Sequence, residues 1–523
     1  MVELGALIVC AYPALSPLIE ARPGDLVAIV GDLDSARDLG AYRRLGNAAV
    51  GPPSGGAHAR RGLRRWAARE KLRVAARELL ALPGHDVDVT ARELSDLADV
   101  CCEIALAEAL SWAEERFGTP IVTEGESGMT TCPFVVIGMG KLGGRELNAG
   151  SDIDLMLFYE SDDGRVDPPR ATAAQGSPHT IHEHFTRVAH RFVATLEEPT
   201  EDGAVWRVDL RLRPEGTAGA LVNSLIAAER YYETWGRTWE RAALIRARPV
   251  AGDIAFGRRL LGALGPFVWR RAIDPGVVDE LAAMLAQSRA EASGPEELDL
   301  KIGRGGIREI EFFAQGLQLV WGGGEPRVRG QNTIDALRRL CACGYVTERE
   351  RSDLSDGYVV LRRLEHRIQF ATGQQTHSLP RDPELFERVA RSLGYEGTAP
   401  LMADLDAVRS RVSQRLASLL VAADPPQDRA IERVLSAIEA QDETRLAGAV
   451  AVRFGSMASV DLPRHLMALA RTPSSPLGAE SRDRYRAFTR DLIGVLADSA
   501  DPEQATRLLA AFFGRFAVPG AYV

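Results

Sequence analysis

The chain has 523 residues, a formal net charge of −9, and 46% hydrophobic against 26% charged residues. That length allows about two to four domains with their own cores, and the composition is ordinary for a soluble globular protein. The acidic balance argues against a protein that tracks nucleic-acid backbones, so no nucleic-acid partner is expected.

The six cysteines (Cys10, Cys101, Cys102, Cys132, Cys341 and Cys343) form no Cys-x-x-Cys pair. Such sparse usage fits a reducing compartment and not a disulfide framework. Residues 5–15 are apolar, but Glu3 precedes them and the first basic residue is Arg22, so the basic start of a secretory signal is missing. No apolar run reaches the roughly 18–20 residues of a membrane span. The expectation is a cytoplasmic protein with no membrane partner.

In chain order, residues 1–46 read as short helices and 46–59 as a loop. A helical block over 61–117 is broken at Pro83-Gly84. A second loop, 119–131, leads to a strand beginning at Phe134, and 161–178 reads as a surface loop. Ile181, Phe185, Val188, Phe192, Val193 and Leu196 share one face of a 3.6-residue period and predict an amphipathic helix. Residues 206–213 alternate as a strand, with Val208, Leu210 and Leu212 opposite Asp209, Arg211 and Arg213. Residues 223–248 read as helical and aromatic-rich, with Tyr231, Tyr232, Trp235 and Trp239 spaced like packing residues. Beyond 255 nearly everything reads as helix, including an amphipathic one marked by Val360, Leu361, Leu364 and Ile368. Pro425-Pro426 marks the best late boundary. The expected fold is α+β, mostly α. It has a helical region at 1–118, a small mixed-sheet core at 119–255, a helical bundle at 256–423, and a linker with the start of a further helical region at 424–523.

The chemistry concentrates in residues 134–160. Gly138-Met-Gly140-Lys-Leu-Gly143 matches the dinucleotide fingerprint, but that motif requires a helix and then a second strand with its acidic residue. Here Gly150-Ser151 follows within seven residues of Gly143, leaving no room for the crossover helix. A P-loop fails because Leu142, with no hydroxyl, follows Lys141. A metal-dependent nucleotide site uses the whole stretch. Asp152 and Asp154 share a strand face, two close carboxylates call for a cation, and hard oxygen ligands suit Mg²⁺. Asp209 is the natural third carboxylate, and Arg211 and Arg213 on its face could clamp phosphate. Gly138, Gly140, Gly143 and Gly144 let backbone N–H groups approach phosphates. Taken alone, the Asp-x-Asp pair would read as the cap of a solvent-facing strand end.

Other residues carry plainer readings. His179, His182 and His184 read as a solvated helix start, since their spacing suits zinc poorly. Glu309 and Glu311 beside Arg308 read as salt-bridged structural groups. Cys341 and Cys343 read as half-buried helix residues.

Gly-Lys-Leu-Gly-Gly-Arg-Glu-Leu-Asn (140–148) followed by Ser-Asp-Ile-Asp-Leu (151–155) resembles the core of the glutamine synthetase adenylyltransferase/adenylyl-removing enzyme family, within the polymerase-β-like nucleotidyltransferase superfamily. The runs 206–216, 239–253, 301–313 and 364–369 are similar to further signatures of that family, in the same order, and the resemblance extends from about residue 90 onward. The family carries two such cores in tandem. One transfers AMP from ATP to a tyrosine of glutamine synthetase, and the other removes it by phosphorolysis, giving ADP. This chain shows one core, because 454–461 offers Ser456 and Asp461 but no Asp-x-Asp. Its position before a helical region, and the Gly-Gly-Ile-Arg-Glu-Ile-Glu run at 305–311, resemble the adenylyl-removing half.

The resemblance implies orthophosphate attack on the tyrosyl-AMP phosphorus and two Mg²⁺ ions on Asp152, Asp154 and Asp209. It also implies nucleotide phosphate held by Ser151 and the loop N–H groups, with Lys141, Arg211 and Arg213 assigned to orthophosphate on charge alone. Glutamine synthetase is the implied protein partner, with the P-II signalling protein as a further one. Two alternatives stay open: AMP transfer from ATP, and a non-catalytic fragment that docks on glutamine synthetase or P-II.

Overall fold

The computed structural model describes residues 2–51, 56–82, 86–124, 128–168, 180–271, 276–290, 299–423, 426–472, 475–484 and 486–513. It divides into two units, Met1–Ala417 and Ser418–Val523. The fold is α+β and mostly α, with all eight described strands in the first unit.

β1 (Thr119–Glu124) and β2 (Gly128–Thr131) form an antiparallel hairpin, where the sequence predicted a loop. β2 is exposed along its whole length, so no apolar alternation marks it. β3 (Phe134–Gly138) is fully buried and pairs antiparallel with β4 (Ile153–Tyr159), from Phe134↔Tyr159 to Gly138↔Leu155. β5 (Gly164–Asp167), inside the expected 161–178 loop, completes the first sheet beside β1. Residues 169–179, and with them His179, lie outside the described residues.

The second sheet has the order β6-β4-β3-β8. β6 is only Val208–Asp209, running parallel to β4. The expected 206–213 strand therefore stops at Asp209, and the chain turns at residues 211–212. β7 (Asn223–Ser224) pairs with the far end of β4. β8 (Arg248–Gly252) pairs antiparallel with β3. The stretch predicted as helical over 223–248 is thus two helices, Leu225–Thr234 and Thr238–Leu244, with a strand at each end. Tyr232 is buried there, but Trp235 is 71% exposed and not a packing residue.

The Ile181–Glu197 helix opens with a capping box between Thr180 and Glu183. Its predicted apolar face is buried except for the half-buried Val193, and Phe185 stacks on Phe134 at 4.8 Å and on Tyr159 at 5.4 Å. The helix start is only partly solvated: Thr180 and Glu183 are exposed, but His184 is fully buried, and His182 Nδ1 lies 3.1 Å from the Tyr159 hydroxyl. The Val87–Phe117 helix, capped by the Asp86 side chain, packs on both Ile181–Glu197 and β8.

The second unit is helical in its described residues, around Val434, Leu435, Ile438, Leu446, Leu462, Leu466, Leu469 and Ile493. Its 454–461 run is a helix end followed by a 3₁₀ turn, not a strand. Among the described residues no helix is long and apolar enough to cross a membrane.

Candidate active site

The ladder between β4 and β6 sets Asp154 directly beside Asp209. Burial pushes the Asp154 carboxyl up to about 6, helped by the Asp209 charge, while Lys301 and Lys141 pull the other way. Burial also works against the Asp209 charge. Hydrogen bonds from the Arg211 side chain and backbone outweigh it and hold Asp209 below the usual carboxylate range. Asp152 stands one residue before β4 and pairs with Arg207 Nε at 2.5 Å.

The two loop arginines do not share a strand face with Asp209. Arg211 Nε lies 2.8 Å from Asp209 Oδ2, and its N–H donates to Asp209 Oδ1 at 2.8 Å. Arg213 donates to the carbonyls of Leu210 at 2.8 Å and of Gly219 and Thr217 at 3.2 Å. One arginine thus covers a carboxylate and the other braces a turn, so neither guanidinium is placed to clamp phosphate in this arrangement. The reason is the short β6: once the chain turns, the period-2 alternation ends.

The glycine loop is a single helical turn, Gly140–Gly143, after β3. Met139 N–H donates to the Asp154 carbonyl at 2.8 Å, which ties the turn to β4. Gly140 has φ +51°, and a Cβ there would fall 2.3 Å from Asp154 Oδ2. A Cβ on Gly143 would fall 1.9 Å from the Arg246 carbonyl oxygen. Gly138 packs against Val250 and Gly144 against the Gln331 carbonyl. These glycines permit backbone and carboxylate to approach closely.

Ser151 is buried, and its carbonyl accepts from the Trp206 indole at 3.0 Å. Lys141 Nζ reaches Ser151 Oγ at 3.5 Å and Glu365 Oε1 at 2.9 Å. Burial brings the Lys141 ammonium down to about 8, against the pull of Glu365. Lys301, equally enclosed, is lowered first by burial and then by Arg308, while Asp154 is among the carboxylates opposing that shift.

The Glu348–Thr372 helix holds this loop from outside the sheet. Arg362 Nη2 donates to the Glu146 carbonyl. Glu365 takes Lys141, and His366 Nε2 meets Asn148 Oδ1 at 2.9 Å. Gln369 Oε1 accepts from Gly150 N–H at 3.3 Å. Positions 362, 365, 366 and 369 form one helical face. Glu365 also accepts from Arg362 Nη1 at 2.8 Å and His377 Nδ1 at 2.6 Å. Burial opposes its charge, yet Lys141, Arg362 and His377 hold the carboxyl well below its usual range. The Ile307–Trp321 helix adds Glu311, 3.2 Å from Arg246, and Arg246 in turn bonds Glu146 at 2.7 Å. Glu309 accepts from Gly305 N–H at 2.9 Å.

Sequence reasoning missed Arg207, Lys301, Glu365 and His377 as neighbours of the site. The 301–313 and 364–369 runs contain two of them, but nothing in their spacing says that their charges are buried. The donor set suits a hard cation at Asp154 and Asp209, two carboxylates held adjacent with the Asp154 carboxyl raised. Asp152 is turned toward Arg207, and among the described residues no cluster of three or more His, Cys, Asp or Glu is assembled for a metal.

Residues 8–263 match the family model described as glutamate-ammonia ligase adenylyltransferase, which spans the loop and all three aspartates. Residues 279–420 match the model described as GlnD PII-uridylyltransferase. The bifunctional glutamine synthetase adenylyltransferase/adenylyl-removing enzyme of Nitrosococcus oceani is 36% identical over 468 residues, covering 88% of this chain and 47% of the relative. The chain belongs to the glutamine synthetase adenylyltransferase/adenylyl-removing enzyme family. The family's protein of the same name in Stenotrophomonas maltophilia is 43% identical over 68% of this chain and 37% of the relative. That of Xanthobacter autotrophicus is 38% identical over 79% and 41%. The chain therefore spans less than half the length of these family members.

Proposed function

We propose that this chain removes AMP from adenylylated glutamine synthetase by phosphorolysis. The reading is carried by the side-by-side Asp154 and Asp209 in a chain of this family. An orthophosphate oxygen attacks the AMP phosphorus, the bond from phosphorus to the tyrosyl oxygen breaks, and the tyrosine recovers a proton. The products are ADP and unmodified glutamine synthetase. Removal, as opposed to addition, is supported by the likeness of the 305–311 run to the adenylyl-removing half.

Asp154 and Asp209 would hold Mg²⁺, with Asp152 joining when it leaves Arg207, and two ions are proposed. Bound there, the metal would supply charge neutralisation at the attacking and leaving oxygens. Lys141 and Lys301, half-buried cations near Asp154, draw phosphate oxygens toward the carboxylates. Ser151 and those N–H groups of the 138–144 loop that are not tied up as Met139, Gly143 and Gly144 are would line the approach to the nucleotide phosphate. The helix face of Arg362, Glu365, His366 and Gln369 keeps that loop in register. The relatives' names, which include glutamine synthetase, support it as the substrate, and the 279–420 match supports P-II-linked control.

The test offers the chain adenylylated glutamine synthetase with orthophosphate and, separately, unmodified glutamine synthetase with labelled ATP. ADP release in the first supports removal, and label transfer in the second supports addition. Neither product, with glutamine synthetase retained by the chain, supports a docking fragment. The arginine-paired Asp152 and Asp209 are the observation that favours this last reading.

A further inference from the structure

Behind the glycine loop lies a cavity of about 650 Å³ within the first unit, and none of Lys141, Asp152, Asp154 and Asp209 lines it. Its volume falls in the range of small-molecule sites. Gly143, Gly144 and Arg145 line it from the loop, and residues between Arg329 and Arg339 line it from the Thr333–Ala342 helix and the segment before it. Five arginines face it against two aspartates, in a chain whose net charge is −9. Arg339 is paired with Asp335 at 2.6 Å and Arg145 with Asp96, which leaves Arg92, Arg329 and Arg338 against Asp88. Arg92 is exposed, and Arg338 reaches Asp335 only at 3.8 Å, leaving both guanidinium groups open to a ligand. Leu244, Leu264 and Val268 supply an apolar wall.

We propose that this cavity is a second, non-catalytic site for a small phosphate-bearing ligand with an apolar or planar body, its phosphate held by Arg92, Arg338 and Arg339. Forked guanidinium groups match phosphate oxygens, and the apolar wall takes the rest of the molecule. The proposal goes beyond the phosphorolysis reading and does not depend on it. Gly143–Arg145 is both the wall of this cavity and the continuation of the loop that carries Lys141, so an occupant touches the loop from its far side.

The test is hydrogen–deuterium exchange of the full chain with millimolar AMP. Amides in 143–145 and 329–339 are expected to exchange at least about threefold more slowly. That protection persists in Asp154→Asn and is lost in the double variant Arg92→Glu/Arg338→Glu, whose melting temperature stays that of the parent because both side chains are exposed. Excess orthophosphate is expected to displace AMP and remove the protection. Protection confined to 150–154 and 207–213, protection at 329–339 that survives the double substitution, or no displacement by orthophosphate would overturn the proposal.

Discussion

Glu365 accepts a hydrogen bond from Lys141 Nζ at 2.9 Å, joining residues 224 positions apart in the chain. The carboxylate is fully buried, and it shares itself among Lys141, Arg362 and His377. A buried pair of this kind is weak evidence of net stability, but removing one partner leaves the other's charge uncompensated.

Glu365→Ala is therefore expected to destabilise the first unit by about 3 kcal/mol, the order found when one partner of a buried pair is removed. Glu365→Gln, which keeps an acceptor oxygen but no charge, should lose less. Chemical denaturation of both variants checks the order. Equal stability of Glu365→Ala and the parent would contradict the role given to the helix face.

Gly140→Ala should fold yet lose activity. Its Cβ would fall 2.3 Å from Asp154 Oδ2 in a backbone with φ +51°. The side chain best able to yield is the Asp154 carboxylate, which would leave its place beside Asp209. The expected result is a fall of at least about tenfold in ADP release, equivalent to about 1.4 kcal/mol of barrier, with the circular dichroism spectrum unchanged.

His366 gives a pH signature. Burial lowers its pKa, and the hydrogen bond and charge of Glu78 only partly restore it. Arg362 lowers it and Glu365 raises it, while Arg367 stands beside it on the same helix. Between the folded value and the unfolded value of about 6.5, the unfolded chain binds more protons. Stability from this group rises with pH through that window, is complete above it, and is lost as pH falls through the folded value. His377, also lowered by burial, acts with the same sign. Asp99 acts oppositely: its carboxyl is raised by burial to about 6, so its contribution is lost as pH rises through that value. His366→Gln should flatten the rise in melting temperature from pH 5.5 to pH 7.5, and an unchanged rise would exclude His366 as a source.

Removing divalent cations with a chelator should abolish ADP release, and added Mg²⁺ should restore it. Asp154 and Asp209, paired in register across β4 and β6, are the expected ligands. Full activity after chelation would remove the metal from the proposed chemistry.

The second sheet's centre was legible because β3 and β4 carry strong apolar patterns around a glycine loop. Asp209 was legible as a partner because Val208 and Leu210 flank it, although only two residues of that strand pair. Two kinds of feature were hidden. β2 and β5 hold their places by backbone pairing with little burial, so composition gives no sign of them. Nothing in the Glu365-His366-Arg367 run signals burial, because charged and polar residues are normally exposed. Here all three are buried, and their partners at Lys141, Asn148 and Tyr12 lie far away in sequence. Trp235 fails in the opposite sense, an aromatic residue at packing spacing that the chain leaves exposed.

The central claim is that Asp154 and Asp209 together make the phosphorolytic centre. The most direct test follows ADP release from adenylylated glutamine synthetase and orthophosphate by the parent chain and by Asp154→Asn. The account predicts release by the parent and a loss of at least about 100-fold in the variant, equivalent to about 2.7 kcal/mol of barrier. Its melting temperature should be no lower, since the like-charge repulsion from Asp209 is relieved. Parent-level ADP release by Asp154→Asn would contradict it.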